Sequence, residues 1–228
     1  MFWKEQEVPT YEVSDDVVDL SFRMRSTVLP LDHAYSLSEA VSARLPWIRA
    51  EPGAGIHPIH GAESGNGWER PSDPETDVLH LSKRTRLRLR LPKARVAEAR
   101  ALSGATLDVA GFAVAVGAAS VRLLEPATTV FARHVASRDL STEEAFLNWA
   151  AEQLEAVGAS VRKLVCGRAH ELRTPDNLLS LRSLMLADLT REESIRVQQA
   201  GLGDYRSLGC GIFVPCKGIN PVSPETTG

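Results

Sequence analysis

The chain has 228 residues, enough for one large domain or two small ones, and 43% of them are hydrophobic against 24% charged. That balance supports a packed core and excludes wholesale disorder. No run of about 18 apolar residues occurs and the opening "MFWKEQEVPTYEVSDD" lacks an apolar stretch of signal-peptide length, so neither secretion nor membrane spanning is expected.

"VVDLSFRMRS" alternates apolar and polar residues from Val18 to Met24 and reads as a strand. In "LDHAYSLSEAVSARLPWI" the period changes to helical, with Asp32 as the expected N-cap, Leu37, Val41 and Leu45 on one face, and Pro46 as the stop. From Arg49 to Asp77 glycine and proline dominate, which predicts a long loop of the kind that carries function. "VLHLS" and "TRLRLRLP" follow as strands, the second with Leu87, Leu89 and Leu91 on one face and Arg86, Arg88 and Arg90 on the other. "PKARVAEARALSG" has Pro92 before it and Gly104 after it, the asymmetry of a helix, and "ATLDVAGFAVAVGAASVRLLEP" reads as short strands broken at Gly111 and Gly117.

The second pass begins near Pro126. "TTVFARHVAS" reads as a strand, and "STEEAFLNWAAEQLEAVGA" as a helix with a capping-box pattern from Ser141 to Glu144. "VRKLVCGRAHELRT" and "LLSLRSLMLADL" pair across "PDN". "TREESIRVQQAGLG" is a helix with Thr190 and Glu193 spaced for a second box, and "CGIFVPC" is the final strand. Both passes have the order β-α-β-β-α-β. The expected fold is therefore α+β, two tandem ferredoxin-like (RRM-like) domains over residues 1–125 and 126–228.

Three cysteines, Cys166, Cys210 and Cys216, lack C-x-x-C spacing, which predicts reduced thiols in a cytoplasmic protein and no structural zinc. The net charge of −3 does not exclude a polyanionic partner, because "SKRTRLRLRLPKAR" concentrates positive charge locally. The stretch "GLGDYRSLGCG" places four glycines around Arg206 between a helix and a strand. Taken alone it reads equally as an anion-cradling loop or as a flexible connection with Gly201 as C-cap. It fits neither a Walker loop nor a Rossmann fingerprint.

This stretch resembles the C-terminal glycine-rich loop of the CRISPR repeat-processing endoribonucleases, the sixth Cas family of the RAMP superfamily. Gly201, Leu202, Gly203, Arg206, Gly209 and Gly211 fill that pattern. "VLPLDHAYSLSEAV" resembles the family's first helix entry, and "GIHPIHG…GNGW…SKRTRLRLRLP" resembles its Myxococcus-type subtype. The resemblance implies two ferredoxin-like halves and metal-independent cleavage of precursor CRISPR RNA in the repeat, without a cofactor. It also implies a repeat hairpin as partner and, beyond it, other Cas subunits of an interference complex.

Such cleavage needs a base for the 2′-hydroxyl, a cation for the charged phosphorane and an acid for the departing oxygen, tasks that suit histidine and arginine. By position in the resemblance His57 is the first candidate, His60 an assistant or phosphate holder, and His33, with Tyr35 near it, the runner-up. His80, His134 and His170 fall in predicted strands and are expected to be packed or satisfied. The RNA is expected to meet Lys83, Arg84, Arg86, Arg88 and Arg90, Lys217, and the loop residues Gly201, Gly203, Arg206, Gly209 and Gly211. Few aromatics and no RRM signature favour hairpin recognition by backbone and shape. The competing reading is a non-catalytic repeat-binding subunit. A two-histidine phosphoesterase is disfavoured, since only "HLS" at His80 fits its motif.

Overall fold

The alternating apolar residues of the first pass generate a sheet with one face turned to helices. In strand β1 (Val17–Arg25) Leu20, Phe22 and Met24 are buried while Arg23 and Arg25 point to solvent. A short strand β2 (Val28–Pro30) leads to helix α1 (Ala34–Ser42), whose Leu37 and Val41 enter the same core. Strands β3 (Gly55–Ile56) and β4 (Val78–His80) follow, then β5 (Arg86–Pro92). Leu87, Leu89 and Leu91 of β5 are fully buried, each contributing about 1.5–3 kcal/mol by removal from water. A helical stretch comes next, with α2 (Val96–Ala99) flanked by 3-10 turns Lys93–Arg95 and Arg100–Leu102, and then the hairpin β6 (Thr106–Val109) and β7 (Phe112–Arg122). The sheet order is β3-β5-β1-β7-β6 with every neighbour antiparallel.

The computed structural model describes residues 12–60, 78–136 and 142–216. Within them the second pass gives strand β8 (Val130–Ala136), helix α3 (Glu143–Ala156), strands β9 (Lys163–Cys166), β10 (His170–Arg173) and β11 (Leu178–Ala187), helix α4 (Arg191–Ala200) and strand β12 (Val214–Pro215). Its sheet runs β10-β11-β8-β12, with β9 also on β11. In each half the first strand lies between the third and the last, the strand order of a ferredoxin-like fold, and each half has its own core.

Several local expectations change. The second strand of the first half is Gly55–Ile56, inside the stretch read as loop; two residues are too short for a period-2 signal. The segment at Val78–His80 pairs with β2 in a separate two-stranded sheet. The N-cap of α1 is His33, without a side-chain cap bond, and not Asp32. Gly117 does not break β7: it lies beside a register shift where a Cβ would meet Arg23 Cβ at 3.2 Å. Helix α3 is capped by the Thr142 hydroxyl, which accepts from Ala145 N–H, whereas Ser141 lies outside the described residues. The Thr190–Glu193 box forms with both bonds. The last strand is only Val214–Pro215, the residues before it being a tight loop.

Candidate functional site

The arginine strand β5 does three different things with three arginines. Arg90 is 0% exposed, against the expectation that it faces RNA. Its Nε and Nη2 donate to the two carboxylate oxygens of Asp19 at 2.9 and 3.1 Å, and its Nη1 donates to the backbone oxygens of Gln198 and Phe213 at 2.9 and 2.6 Å. Alternation turns Arg90 away from its own core, and the second half covers it there. Arg86 is half-buried and gives Nη1 to the Lys83 and Thr85 carbonyls, while Arg88, Arg84 and Lys83 remain exposed.

Asp19 also accepts from His57, which is 7% exposed. His57 Nε2 lies 3.1 Å from Asp19 Oδ1, and since a carboxylate can only accept, Nε2 carries the proton. The backbone N–H of His57 donates to the Arg88 carbonyl, extending the β3–β5 ladder. Burial, only partly offset by Asp19, lowers the His57 pKa. Burial would raise the Asp19 carboxyl, but His57 and Arg90 together hold it well below the usual carboxylate range.

His60, three residues on, is exposed. Desolvation, then the charges of Arg133, His33, His57 and Arg88, push its imidazole down to about 4, so it is neutral at pH 7. His33 is 6% exposed at the start of α1, and its Nδ1–H donates to the Pro30 carbonyl at 2.9 Å. Burial lowers its pKa too. Tyr35 packs on the small cluster of Ala136, Leu181, Leu208 and Cys210 that joins the halves. His80 is exposed, unlike the packed histidine expected, whereas His134 and His170 are bonded to each other at 2.9 Å.

The glycine-rich loop turns inward. Gly201, Gly209 and Gly211 are buried and Gly203 is exposed, all four at positive φ. The N–H groups of Gly201, Gly209 and Gly211 donate to the Val197, Arg206 and His134 carbonyls, so they are not free to cradle an anion. Arg206 reaches the first half, giving Nε to the Ala54 carbonyl at 3.2 Å and Nη2 to that of Gly53 at 2.9 Å, with Nη1 on Ala200. Burial and the nearby Arg90 lower it to about 10. A Cβ on Gly209 would lie 2.7 Å from Pro58 Cγ, between the two loop histidines. The loop is thus a seat for the histidine segment, and the expectation of direct phosphate contact through Arg206 changes accordingly. Lys217 lies outside the described residues.

A cleft of about 590 Å³ opens at this junction. His57, Pro58, His60 and Gly209 line it together with Arg84, Arg86, Arg88, Arg90, Arg122 and Arg133, against only Asp19 and Glu125 as acids among the described residues. With Asp19 already paired, its potential is positive. Sequence reasoning missed Asp19, Arg122 and Arg133, which come from three separate strands and form no basic run. Among the described residues no three metal-ligating side chains converge, and no helix is long and apolar enough to cross a membrane.

Two tandem ferredoxin-like halves closing on a basic, histidine-bearing cleft define a protein of RAMP architecture. The family model described as Cas6 Crispr matches residues 18–218, and the chain belongs to that family. It is 35% identical over 198 residues to the CRISPR-associated endonuclease Cas6 of Myxococcus xanthus (strain DK1622), covering 87% of this chain and 81% of that protein. Its fold matches a solved CRISPR associated protein Cas6 with a TM-score of 0.60 at 12% identity, over 88% of this chain and 100% of that one. It also matches a RAMP protein described as binding different RNA substrates, with a TM-score of 0.55 at 14% identity, over 88% and 99%.

Proposed function

We propose that this chain is a metal-independent endoribonuclease that binds the hairpin of a CRISPR repeat and cuts precursor CRISPR RNA into guide units. The observation that carries the reading is an exposed histidine, His60, in a cleft walled by arginines. Family membership and the Myxococcus relative named as an endonuclease support the reaction class.

His60 takes the proton of a ribose 2′-hydroxyl, the 2′-oxygen attacks the adjacent phosphorus, and the bond to the 5′-oxygen breaks. The products are a 2′,3′-cyclic phosphate and a 5′-hydroxyl. Arg88 and Arg133 face the phosphorane's charge, and a second imidazole protonates the departing oxygen. His33, whose charge acts on His60, is the candidate for that task in its imidazolium form. A phosphate entering the cleft brings negative charge that raises both imidazoles toward the range where an acid is available. His57 is held by Asp19 and serves to position the loop. Among the arginines, Arg84, Arg86 and Arg88, with Lys83, grip the hairpin backbone, whose A-form shape hides its major-groove edges.

We assign the histidine loop to a first domain, residues 1–125, and the loop that seats it to a second, residues 126–228. Retention of the product follows from a grip that cleavage leaves intact, and it suits a cytoplasmic subunit that delivers guide RNA to other Cas proteins. Incubating labelled repeat RNA with the protein in EDTA tests the reading. Cutting within the repeat, with cyclic phosphate at the new 3′ end, is the expected result. Tight binding without cutting would assign the chain to the non-catalytic subunits instead, and cutting abolished by EDTA would overturn metal independence.

A further inference from the structure

On the face of the first sheet turned away from its helices, β1 sets a different partner opposite each arginine of β5. The register pairs Asp19 with Arg90, Ser21 with Arg88, and Arg23 with Arg86. Positive charge is therefore neutralised at the junction, uncompensated in the middle, and doubled at the far end. Like charges directly opposite in an antiparallel pair are destabilising, and arginine cannot relieve the repulsion by losing its proton.

The far end is also a concavity. A second cleft, of about 820 Å³, is lined by Arg23, Arg25, Lys83 and Arg86 with the hydroxyl residues Ser26, Thr27 and Ser82, and by no acidic side chain among the described residues. Arg23 and Arg25 are exposed, and among the described residues neither side chain has a hydrogen bond or ion pair. The bonds that Arg86 makes, to the Lys83 and Thr85 carbonyls, fix its guanidinium without supplying a countercharge. Arg86 lines both clefts, so the basic surface runs on from the histidine cleft to this one.

We propose that Arg23, Arg25, Lys83 and Arg86 form a second phosphate-binding subsite that takes the sugar-phosphate backbone of RNA flanking the repeat hairpin. The inference rests on the endoribonuclease reading for the identity of the polymer. A phosphodiester between Arg23 and Arg86 turns a repulsive pair into two charge-assisted contacts, which an RNA chain leaving the histidine cleft past Arg86 delivers without a second encounter. Seryl and threonyl hydroxyls along the wall donate to phosphate oxygens of any sequence, so the subsite adds affinity and register but not base specificity.

The test uses three labelled RNAs, the hairpin alone and the hairpin extended by a single-stranded flank on its 5′ or on its 3′ side, each with a 2′-deoxy substitution at the cut site for binding and in all-ribose form for cutting. Wild type, Arg23→Gln with Arg25→Gln, and Arg23→Glu are titrated across a salt series. Wild type should bind one extended RNA more tightly than the hairpin. The double variant should lose about 10-fold on that RNA at low salt and flatten its log–log salt slope by about 1.4, two contacts at roughly 0.7 each. The double variant should bind and cut the short hairpin as wild type does. Arg23→Glu should lose flank affinity while its melting temperature holds or rises, because glutamate opposite Arg86 replaces repulsion with attraction. Equal affinity of wild type and variants for the extended RNAs, or an equal loss by the double variant on the short hairpin, would overturn the subsite. Failure to cut the short hairpin while the flank effects persist would instead overturn the enzyme reading and leave the subsite standing.

Discussion

Strands β5 and β11 occupy the same place in their halves, third in the ferredoxin-like order and central in the sheet, yet they carry opposite chemistry. The outward face of β5 is arginine, arginine, arginine. β11 holds one arginine, Arg182, which is buried with Nη1 on the Gly167 carbonyl and its guanidinium 5.9 Å from the Phe146 ring. The first half thus supplies the loop imidazoles and most of the cleft's cations, and the second supplies Arg133, backbone oxygens at Gln198 and Phe213, and close-packing glycines against which the histidine loop is set. The same fold, used twice, has placed most of the cleft's charge on one half and most of its support on the other.

Removing the countercharge of Arg90, the arginine that joins the halves, should have the largest effect. Asp19→Asn leaves the buried Arg90 without its countercharge and His57 without its acceptor, and should cost about 3–5 kcal/mol of stability, read by denaturant unfolding. Gly209→Ala attacks the support alone: φ is +85° and the added Cβ meets Pro58, so a loss of about 1–3 kcal/mol should come with slower cleavage as the histidine loop shifts. Arg88→Ala attacks the reacting surface alone. It should leave the melting temperature within a degree or two, since the side chain is exposed, and reduce the salt slope of hairpin binding by about 0.7. The pH profile sharpens the picture further. The proposed base, His60, is lowered to about 4, so its neutral form is present at neutrality and is lost only as pH falls through that value. The acidic limb of kcat/KM should lie near 4, well below the usual histidine value of about 6.5.

The two-fold element order was legible because hydrophobic period and caps are local. The Leu87, Leu89, Leu91 alternation and the Thr190–Glu193 box read directly into structure. The site was legible only as residue types. That Arg90 would be buried while Arg88 stays open depends on where the second half lands, and Asp19 reads as just another polar strand residue until His57, 38 positions away, folds onto it. The glycine pattern was visible, but its purpose was not. Only the fold brings Gly209 against Pro58 and Arg206 onto the Gly53 and Ala54 carbonyls, where the loop supports the histidines.

The central claim is that RNA is cut at His60, in the cleft between the halves. Single-turnover cleavage of a labelled repeat hairpin in EDTA, comparing wild type with His60→Ala and His57→Ala at saturating protein, tests it most directly. His60→Ala should slow the cut by about 10²–10⁴-fold with hairpin affinity retained. His57→Ala should have the smaller effect on rate and the larger one on stability. A His60→Ala protein that cuts at the wild-type rate would contradict the account.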